Sequence, residues 1–214
     1  MFNLIYLVFA FPLIGLAINA FCGRWLDEKW IGIIGSGAVA ASFMVAVLQV
    51  ISLPYYGFQF ETVTLANWII SGELNVSWQV RVDTLSVTMM MLVTGVGTLI
   101  HIYAVGYMHG DARFARFFIY LNLFVVSMLV LVLGDNYLMM FVGWEGVGLC
   151  SYLLIGFWFD RDAAGSVSNP GNQEGSGNAR AGKKAFVVNR IGDLGFLIAI
   201  FLMFTSVGSL DFTD

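Results

Sequence analysis

The sequence has little charge and few cysteines: 11% of its 214 residues are charged and two are cysteine. A soluble domain carries roughly a quarter charged residues, so this shortage argues against a soluble cytosolic enzyme. The ten Lys and Arg residues form no cluster that could neutralise phosphates, so we expect no nucleic-acid partner. Cys22 and Cys150 are too few for a disulfide framework or a cysteine-rich metal site, and we expect inert thiols and no metal.

Apolar residues make up 59% of the chain, and the mean hydropathy is +0.83. A transmembrane helix needs about 20 mostly apolar residues. Runs of this kind predict one all-α domain over residues 1–214, a six-helix transmembrane bundle in the lipid bilayer. The predicted spans are Leu4–Phe21, Trp30–Leu53, Leu85–Tyr107, Phe117–Leu133, Tyr137–Phe159 and Lys184–Phe204. The first run could instead be a signal peptide with a cleavage site near Asn19, but no Lys or Arg precedes it, which favours a retained helix.

The basic residues of the loops predict the orientation of the bundle. Eight Lys and Arg residues fall in or beside the first, third and fifth loops, and one falls in the second and fourth. Because Lys and Arg collect on the cytoplasmic side, we expect the odd-numbered loops inside and the N-terminus outside, in a bacterial inner membrane. The eight are Arg24, Lys29, Arg113, Arg116, Arg161, Arg180, Lys183 and Lys184, and the one is Arg81.

Two loops are long enough to have structure of their own. In the outer loop, residues 54–83, polar and apolar residues alternate from Asn75 to Val82, which predicts a strand, and Ser71-Gly72-Glu73 predicts a turn before it. We therefore expect a small outer β-hairpin. The loop over residues 160–183 is rich in Gly, Ser, Asn and Ala without apolar periodicity, and we expect a flexible cytoplasmic connection.

Four ionisable residues fall inside the predicted spans: Glu145, Arg190, Asp193 and His101. Charge at mid-membrane costs at least ~2.5–3.5 kcal/mol, and such residues usually mark ion or proton pathways. Glu145 lies near the predicted midplane, and Arg190 and Asp193 share a polar helix face with each other. We therefore predict that these four residues take part in proton translocation. The alternative is a passive scaffold, in which Glu145 pairs with Arg190 and the charges only hold helices together.

Redox chemistry is not expected on this chain, and no catalytic residue is predicted. The sequence lacks a dinucleotide-binding G-x-G-x-x-G motif after a strand and a cysteine spacing suited to an iron–sulfur cluster. His101 and His109 do not provide the two ligand pairs that haem groups would need. We therefore expect no cofactor on the chain itself.

Several motifs resemble the largest antiporter-like membrane subunit, chain L, of proton-pumping NADH:quinone oxidoreductase, respiratory complex I. The resemblance lies in RVDTLS at 81–86, GDNY at 134–137, GWEGVGLCSYLLIGFW at 143–158 and KAFVVNRIGD at 184–193. It covers the chain from about Asn75 onward. Subunits of multi-subunit sodium/proton antiporters share the Trp-Glu pair of the fifth span, so they remain an alternative.

The resemblance implies a translocase subunit that couples quinone reduction to proton transfer. It implies NADH, FMN, iron–sulfur clusters and quinone on partner subunits, and other membrane subunits as partners, above all a neighbouring antiporter-like subunit. It also implies that Glu145 pairs with a lysine on a seventh span. Family members have many more spans than six, so we expect this sequence to be an N-terminal fragment.

Overall fold

The computed structural model describes residues 4–56, 61–72, 74–160 and 174–212. These residues form six helices and one two-stranded sheet, which confirms the predicted class. Five helices are long and apolar enough to cross a membrane, and the first is a shorter apolar helix. The elements are α1 (Tyr6–Cys22), α2 (Glu28–Ser52), a 3₁₀ turn (Leu53–Tyr56), β1 (Glu61–Ser71), β2 (Leu74–Val82), α3 (Thr84–Tyr107), α4 (Phe114–Leu133), α5 (Tyr137–Ile155) and α6 (Glu174–Val207).

Helices α1 to α4 pack together as a four-helix unit, with α2 and α4 in contact across it. One buried apolar cluster joins Val8, Val39, Met90 and Leu129, one residue from each helix. A second cluster centres on Phe118, which is fully buried. In a bilayer, close packing supplies the attraction between helices.

The remaining two helices are added to one side of this unit, since α5 packs on α4 and α6 packs on α5. Glycines allow the close approach of α5 to α4. A Cβ atom at Gly143 would collide with the backbone of Leu131, and one at Gly146 would lie 2.5 Å from Ser127 Oγ. Small residues at helix interfaces are typical of membrane bundles.

The predicted hairpin is confirmed, with β1 and β2 antiparallel and Gly72 in the turn at φ 61°. Glycine suits that position because it has no Cβ to clash. The hairpin is attached to the loop between α4 and α5, where the Asp135 backbone N–H donates to Gln79 O at 3.1 Å. The side chain of Asn136 donates to Ser77 O at 2.9 Å. We call this end of the bundle the hairpin end. The opposite end, where α1 connects to α2 and α3 connects to α4 near Arg24 and Arg113, we call the basic end.

Two helix boundaries differ from the sequence prediction by more than three residues. Helix α6 begins at Glu174, ten residues before the predicted start at Lys184, so part of the predicted flexible loop is helical. Tertiary packing can outweigh the low helix propensity of such a Gly-rich stretch, and here Gly182, which has no side chain, lets α6 pack closely on Tyr152 O and Gly156 at the end of α5. Helix α5 ends at Ile155, before Phe159, with Gly156 as its C-cap. The rest of that predicted loop, residues 161–173, lies outside the described residues.

Candidate functional site

Glu145 on α5 and Arg190 on α6 form an ion pair in the middle of the two helices. Glu145 lies eight residues after the start of α5, about 12 Å along the axis at the α-helical rise. Arg190 lies sixteen residues into the 34-residue α6, about 24 Å along it. A pair this far from either helix end lies within the span. Its charges can be stabilised there mainly by each other and by neighbouring polar groups.

Asp193 completes the site as a second carboxylate within reach of the same cation. Its Oδ2 lies 3.8 Å from Arg190 Nη1, and its Oδ1 accepts a hydrogen bond from Trp144 Nε1 at 2.9 Å. Asp193 is only 6% exposed, whereas the Arg190 side chain is 40% exposed. We refer to Glu145, Arg190, Asp193 and Trp144 as the charge cluster. It joins α5 to α6 through side chains alone.

The shape of the interface leaves the charge cluster open on one side. The Arg190 guanidinium lies 4.5 Å from the ring centroid of Phe186, which gives it a cation–π contact. Beside Asp193 a groove of 480 Å³ opens between the helices. Its lining residues are Met140, Trp144, Val188, Asn189, Gly192, Asp193 and Phe196. The groove is large enough to hold several water molecules or the side chains of another helix.

Chemically, this arrangement is one cation shared by two carboxylates. A nearby cation favours the ionised form of a carboxylate, and burial without one favours the protonated form. A shift of the guanidinium from Glu145 to Asp193 would therefore change which carboxylate can take up a proton. The geometry permits both a relay and the passive ion pair that the sequence left open.

His101 does not join the charge cluster. It lies on α3 in the four-helix unit, 1% exposed, with Nδ1 2.7 Å from Gly97 O and its ring edge-on to Phe118. Because a carbonyl only accepts, Nδ1 carries the proton and Nε2 is the acceptor of the neutral ring. Within the described part of the chain, Nε2 has no hydrogen-bond partner. The structure thus brings three of the four predicted residues together and leaves His101 apart.

Trp144 is the residue that the sequence analysis missed as a member of the site. Its signal was its position: tryptophans of membrane proteins are enriched at the interfaces, and Trp144 lies in mid-span. A buried or half-buried indole N–H usually finds a partner. A mid-span tryptophan next to Glu145 therefore indicated a polar acceptor on a neighbouring helix.

A second ionic network lies at the hairpin end. Arg81 on β2 contacts Asp83, the N-cap of α3, at 3.0 Å, and Asp135, in the loop between α4 and α5, at 3.4 Å. Burial raises the pKa of Asp135, and Arg81 only partly offsets this. At Asp83 burial also acts upward, but hydrogen bonds from Ser86 and Arg81 together bring its pKa below the usual value. This network connects the hairpin to the helix ends, away from the charge cluster.

At the basic end, His109 Nδ1 lies 2.9 Å from Glu28 Oε2, and Arg113 pairs with Asp160 at 2.6 Å. Over the described ranges, no group of three His, Cys, Asp or Glu residues is arranged to hold a metal ion.

Comparison with known families matches two separate stretches of the chain. Residues 68–118 match the family described as NADH-ubiquinone oxidoreductase (complex I), chain 5 N-terminus. Residues 134–214 match the family described as NADH:quinone oxidoreductase/Mrp antiporter, TM. The second match contains the whole charge cluster.

Curated relatives are similar over nearly the whole chain. NADH-quinone oxidoreductase subunit L of Escherichia coli is 42% identical over 213 residues, 99% of this chain and 32% of the relative. NADH-ubiquinone oxidoreductase chain 5 of Cryphonectria parasitica is 39% identical over 201 residues, 94% of this chain and 28% of the relative. The chain thus spans about a third of the length of the curated relatives it matches.

Among solved structures, the Mrp complex from Dietzia sp. contains a chain with the same fold. The TM-score is 0.72 at 21% identity, over 98% of this chain and 20% of that one.

Proposed function

Because the chain belongs to the family of antiporter-like membrane subunits that includes subunit L and chain 5 of NADH:quinone oxidoreductase, we propose that it contributes to a proton-translocating subunit of such a complex. Glu145, Arg190 and Asp193 handle the protons. NADH, FMN, iron–sulfur clusters and quinone belong to partner subunits. This chain converts the free energy of quinone reduction into proton movement without redox chemistry of its own.

The observation that carries this proposal is the shared cation of the charge cluster. Arg190 contacts Glu145 and lies 3.8 Å from Asp193. When Arg190 pairs with Glu145, that carboxylate is stabilised as an anion. When Arg190 moves toward Asp193, Glu145 needs a proton or another cation. Movement of one side chain therefore couples proton uptake at one carboxylate to release at the other.

A further cation is needed to complete this cycle, and the exposed side of Arg190 indicates where it belongs. The Arg190 side chain is 40% exposed in a span that would otherwise face lipid, and exposing charge to lipid is costly. We propose that another membrane-spanning segment covers this side and supplies a lysine that pairs with Glu145, as the family resemblance implies. The neighbouring antiporter-like subunit is the proposed partner beyond it.

His101 is proposed as a separate group on the proton route. Its unpaired Nε2 accepts a proton, but no hydrogen bond or ion pair among the described residues links it to the charge cluster. Transfer between His101 and Glu145 would therefore require intervening water across α4.

The proposed orientation puts the N-terminus and the hairpin end outside a bacterial inner membrane and the basic end in the cytoplasm, because Lys and Arg favour the cytoplasmic side. Reporters fused at Ser71–Gly72 and within residues 161–173 test it. We expect an external signal from the first and a cytoplasmic signal from the second. The reverse pattern would contradict the orientation.

The function is tested with Glu145→Gln in the full-length subunit within its complex. Glutamine keeps the size and hydrogen-bonding capacity of the side chain but has no ionised form. We expect NADH-driven proton translocation and coupled quinone reduction to fall strongly, with the complex still assembled. Glu145→Asp should keep part of the function, because a shorter carboxylate still titrates.

The matched control is Glu28→Gln, which removes a carboxylate that pairs with His109 at the basic end. We expect it to pump normally. Native proton-to-electron stoichiometry in Glu145→Gln would contradict the relay and favour the passive scaffold.

A subunit of a sodium/proton antiporter is the second candidate function. It is favoured by the match of residues 134–214 to a family shared with Mrp antiporters. Sodium-dependent proton movement in vesicles without NADH, abolished by Glu145→Gln, would favour this candidate over the first.

A further inference from the structure

We propose that Trp144 is a positioning residue of the charge cluster: its indole N–H occupies Oδ1 of Asp193 and thereby leaves the Arg190 guanidinium to Glu145. This inference rests on the proposed function, since it concerns which of the two carboxylates pairs with the Arg190 guanidinium.

The distances indicate that the Glu145 and Asp193 carboxylates compete for the Arg190 guanidinium and that the Trp144 indole weakens the attraction of Asp193. Asp193 lies three residues after Arg190 on α6, so the two side chains are neighbours whatever α5 does. Even so, Arg190 contacts Glu145 on the other helix and stays 3.8 Å from Asp193. Asp193 Oδ1 instead accepts from Trp144 at 2.9 Å. A hydrogen bond from a neutral donor partly satisfies the carboxylate, so Asp193 attracts the guanidinium less strongly.

The position of Trp144 in the sequence makes this competition depend on the packing of α5 and α6. Trp144 directly precedes Glu145, so α5 carries both the residue that holds Asp193 and the residue that receives Arg190. The indole packs against Phe196 of α6 at a centroid distance of 6.2 Å, and Phe141 of α5 contacts the same ring. A small rotation of α5 on α6 would therefore break the Trp144 hydrogen bond and the Glu145 ion pair together. The cation would then be released to Asp193.

Asp193 also has room to accept a new partner when the Trp144 hydrogen bond breaks. It is 6% exposed, and it lines the groove between the helices with Trp144 and Gly192. A Cβ atom at Gly192 would meet no atom within 4 Å. The guanidinium or a water molecule therefore has space beside this carboxylate once the indole withdraws.

The test is Trp144→Phe in the full-length subunit within its complex, because phenylalanine keeps an aromatic ring against Phe196 but has no N–H. We expect proton translocation per complex to fall roughly tenfold, the factor for the loss of about one charge-assisted hydrogen bond. The pH dependence of pumping separates positioning from packing. If loss of the indole N–H lets the guanidinium move from Glu145 to Asp193, the pH profile of Trp144→Phe should shift relative to that of the parent. A packing role would instead lower pumping by the same factor at every pH and leave the profile in place.

The matched control is Trp158→Phe, which removes an indole N–H that donates to Asp111 Oδ2 at the same 2.9 Å but at the basic end. We expect it to pump within twofold of the parent, roughly the effect of an interaction that contributes little. Glu145→Gln is measured alongside. Loss of pumping in Glu145→Gln with normal pumping in Trp144→Phe would overturn this inference alone, and normal pumping in both would overturn the proposed function too. Failure of Trp144→Phe to enter the complex would make the indole a packing residue and would also overturn the inference.

Discussion

The four-helix unit and the α5–α6 pair are built from similar apolar sequences but are packed very differently. In the most apolar segment of α2 and of α4, 39% of the residues are buried. In the most apolar segment of α6, 11% of the residues are buried. The four-helix unit holds large buried clusters around Val39 and Phe118. The charge cluster lies in the thinly covered pair.

Polar groups are also satisfied differently in the two regions. In the four-helix unit they bond to backbone carbonyls: Ser42 donates to Val8 O at 2.7 Å, Thr94 to Met90 O at 2.7 Å and Asn122 to Phe118 O at 2.9 Å. In the α5–α6 pair the hydroxyl of Ser151 also donates to a backbone carbonyl, but the charged groups and Trp144 bond to other side chains. Backbone acceptors are fixed, but side chains can exchange partners. We therefore propose that the four-helix unit supports the structure and that the α5–α6 pair handles protons.

The contact that joins the two regions should be the most sensitive to added volume. Gly143→Ala puts a methyl group against the Leu131 backbone, which cannot move as a flexible side chain can. We expect a loss of about 3 kcal/mol of stability, since overpacking costs roughly 1–3 kcal/mol or more. Thermal unfolding of the purified full-length subunit measures it. Gly37→Ala is the control, because a Cβ there meets nothing within 4 Å. Equal stability of the two variants would mean that α5 is not tightly fitted to α4.

The network at the hairpin end should be next in sensitivity. Arg81→Gln leaves Asp135, a buried carboxylate, without its cation, and we expect a loss of about 2 kcal/mol near neutral pH. The loss should shrink as the pH falls, because burial already raises the pKa of Asp135 and its protonated form needs no cation. Thermal unfolding at neutral and mildly acidic pH measures both values. A loss independent of pH would remove the ionic explanation.

Asp83→Asn and Asp135→Asn should then show opposite pH trends. The lowered pKa of Asp83 means that its stabilising contribution is present above its unfolded-state pKa and is lost as the pH falls through its folded-state pKa. The raised pKa of Asp135 means that its contribution is lost as the pH rises. Asp83→Asn should therefore destabilise most at neutral pH, and Asp135→Asn most at acidic pH. Parallel trends in the same unfolding series would contradict this assignment.

His101 tests whether proton handling is confined to the α5–α6 pair. Because His101→Gln removes a buried base that contacts no member of the charge cluster, we expect proton translocation to fall less than in Glu145→Gln. Proton uptake by proteoliposomes that contain each variant complex measures this. An equal loss would extend the proton route into the four-helix unit and weaken the comparison.

The smallest effect is expected at the basic end. Asp160→Asn removes the partner of Arg113, but the Asp160 side chain is 48% exposed. Exposed pairs contribute about 0–1 kcal/mol. Unfolding and pumping should both stay close to those of the parent. A clear loss of pumping would show that this end takes part in more than support.

The two regions also differ in how far the sequence predicted them. Apolar run length predicted the helices, and period-two alternation over 75–82 predicted the hairpin. The closeness of Arg190 and Asp193 followed from helix periodicity. The early start of α6 could not be predicted, because it depends on Gly182 meeting the end of α5. The separation of His101 from Glu145 likewise depends on which helix faces pack together. The local sequence pattern of a single helix does not predict that packing.

The central claim is that Glu145 changes its protonation state during turnover, and infrared difference spectroscopy of the assembled complex tests it most directly. Spectra are recorded before and after addition of NADH, with glutamate isotopically labelled. We predict a change in a protonated-carboxyl C=O band that shifts with the label, disappears in Glu145→Gln and persists in Glu28→Gln. A spectrum in which that band is absent, or is unchanged in Glu145→Gln, would contradict the claim.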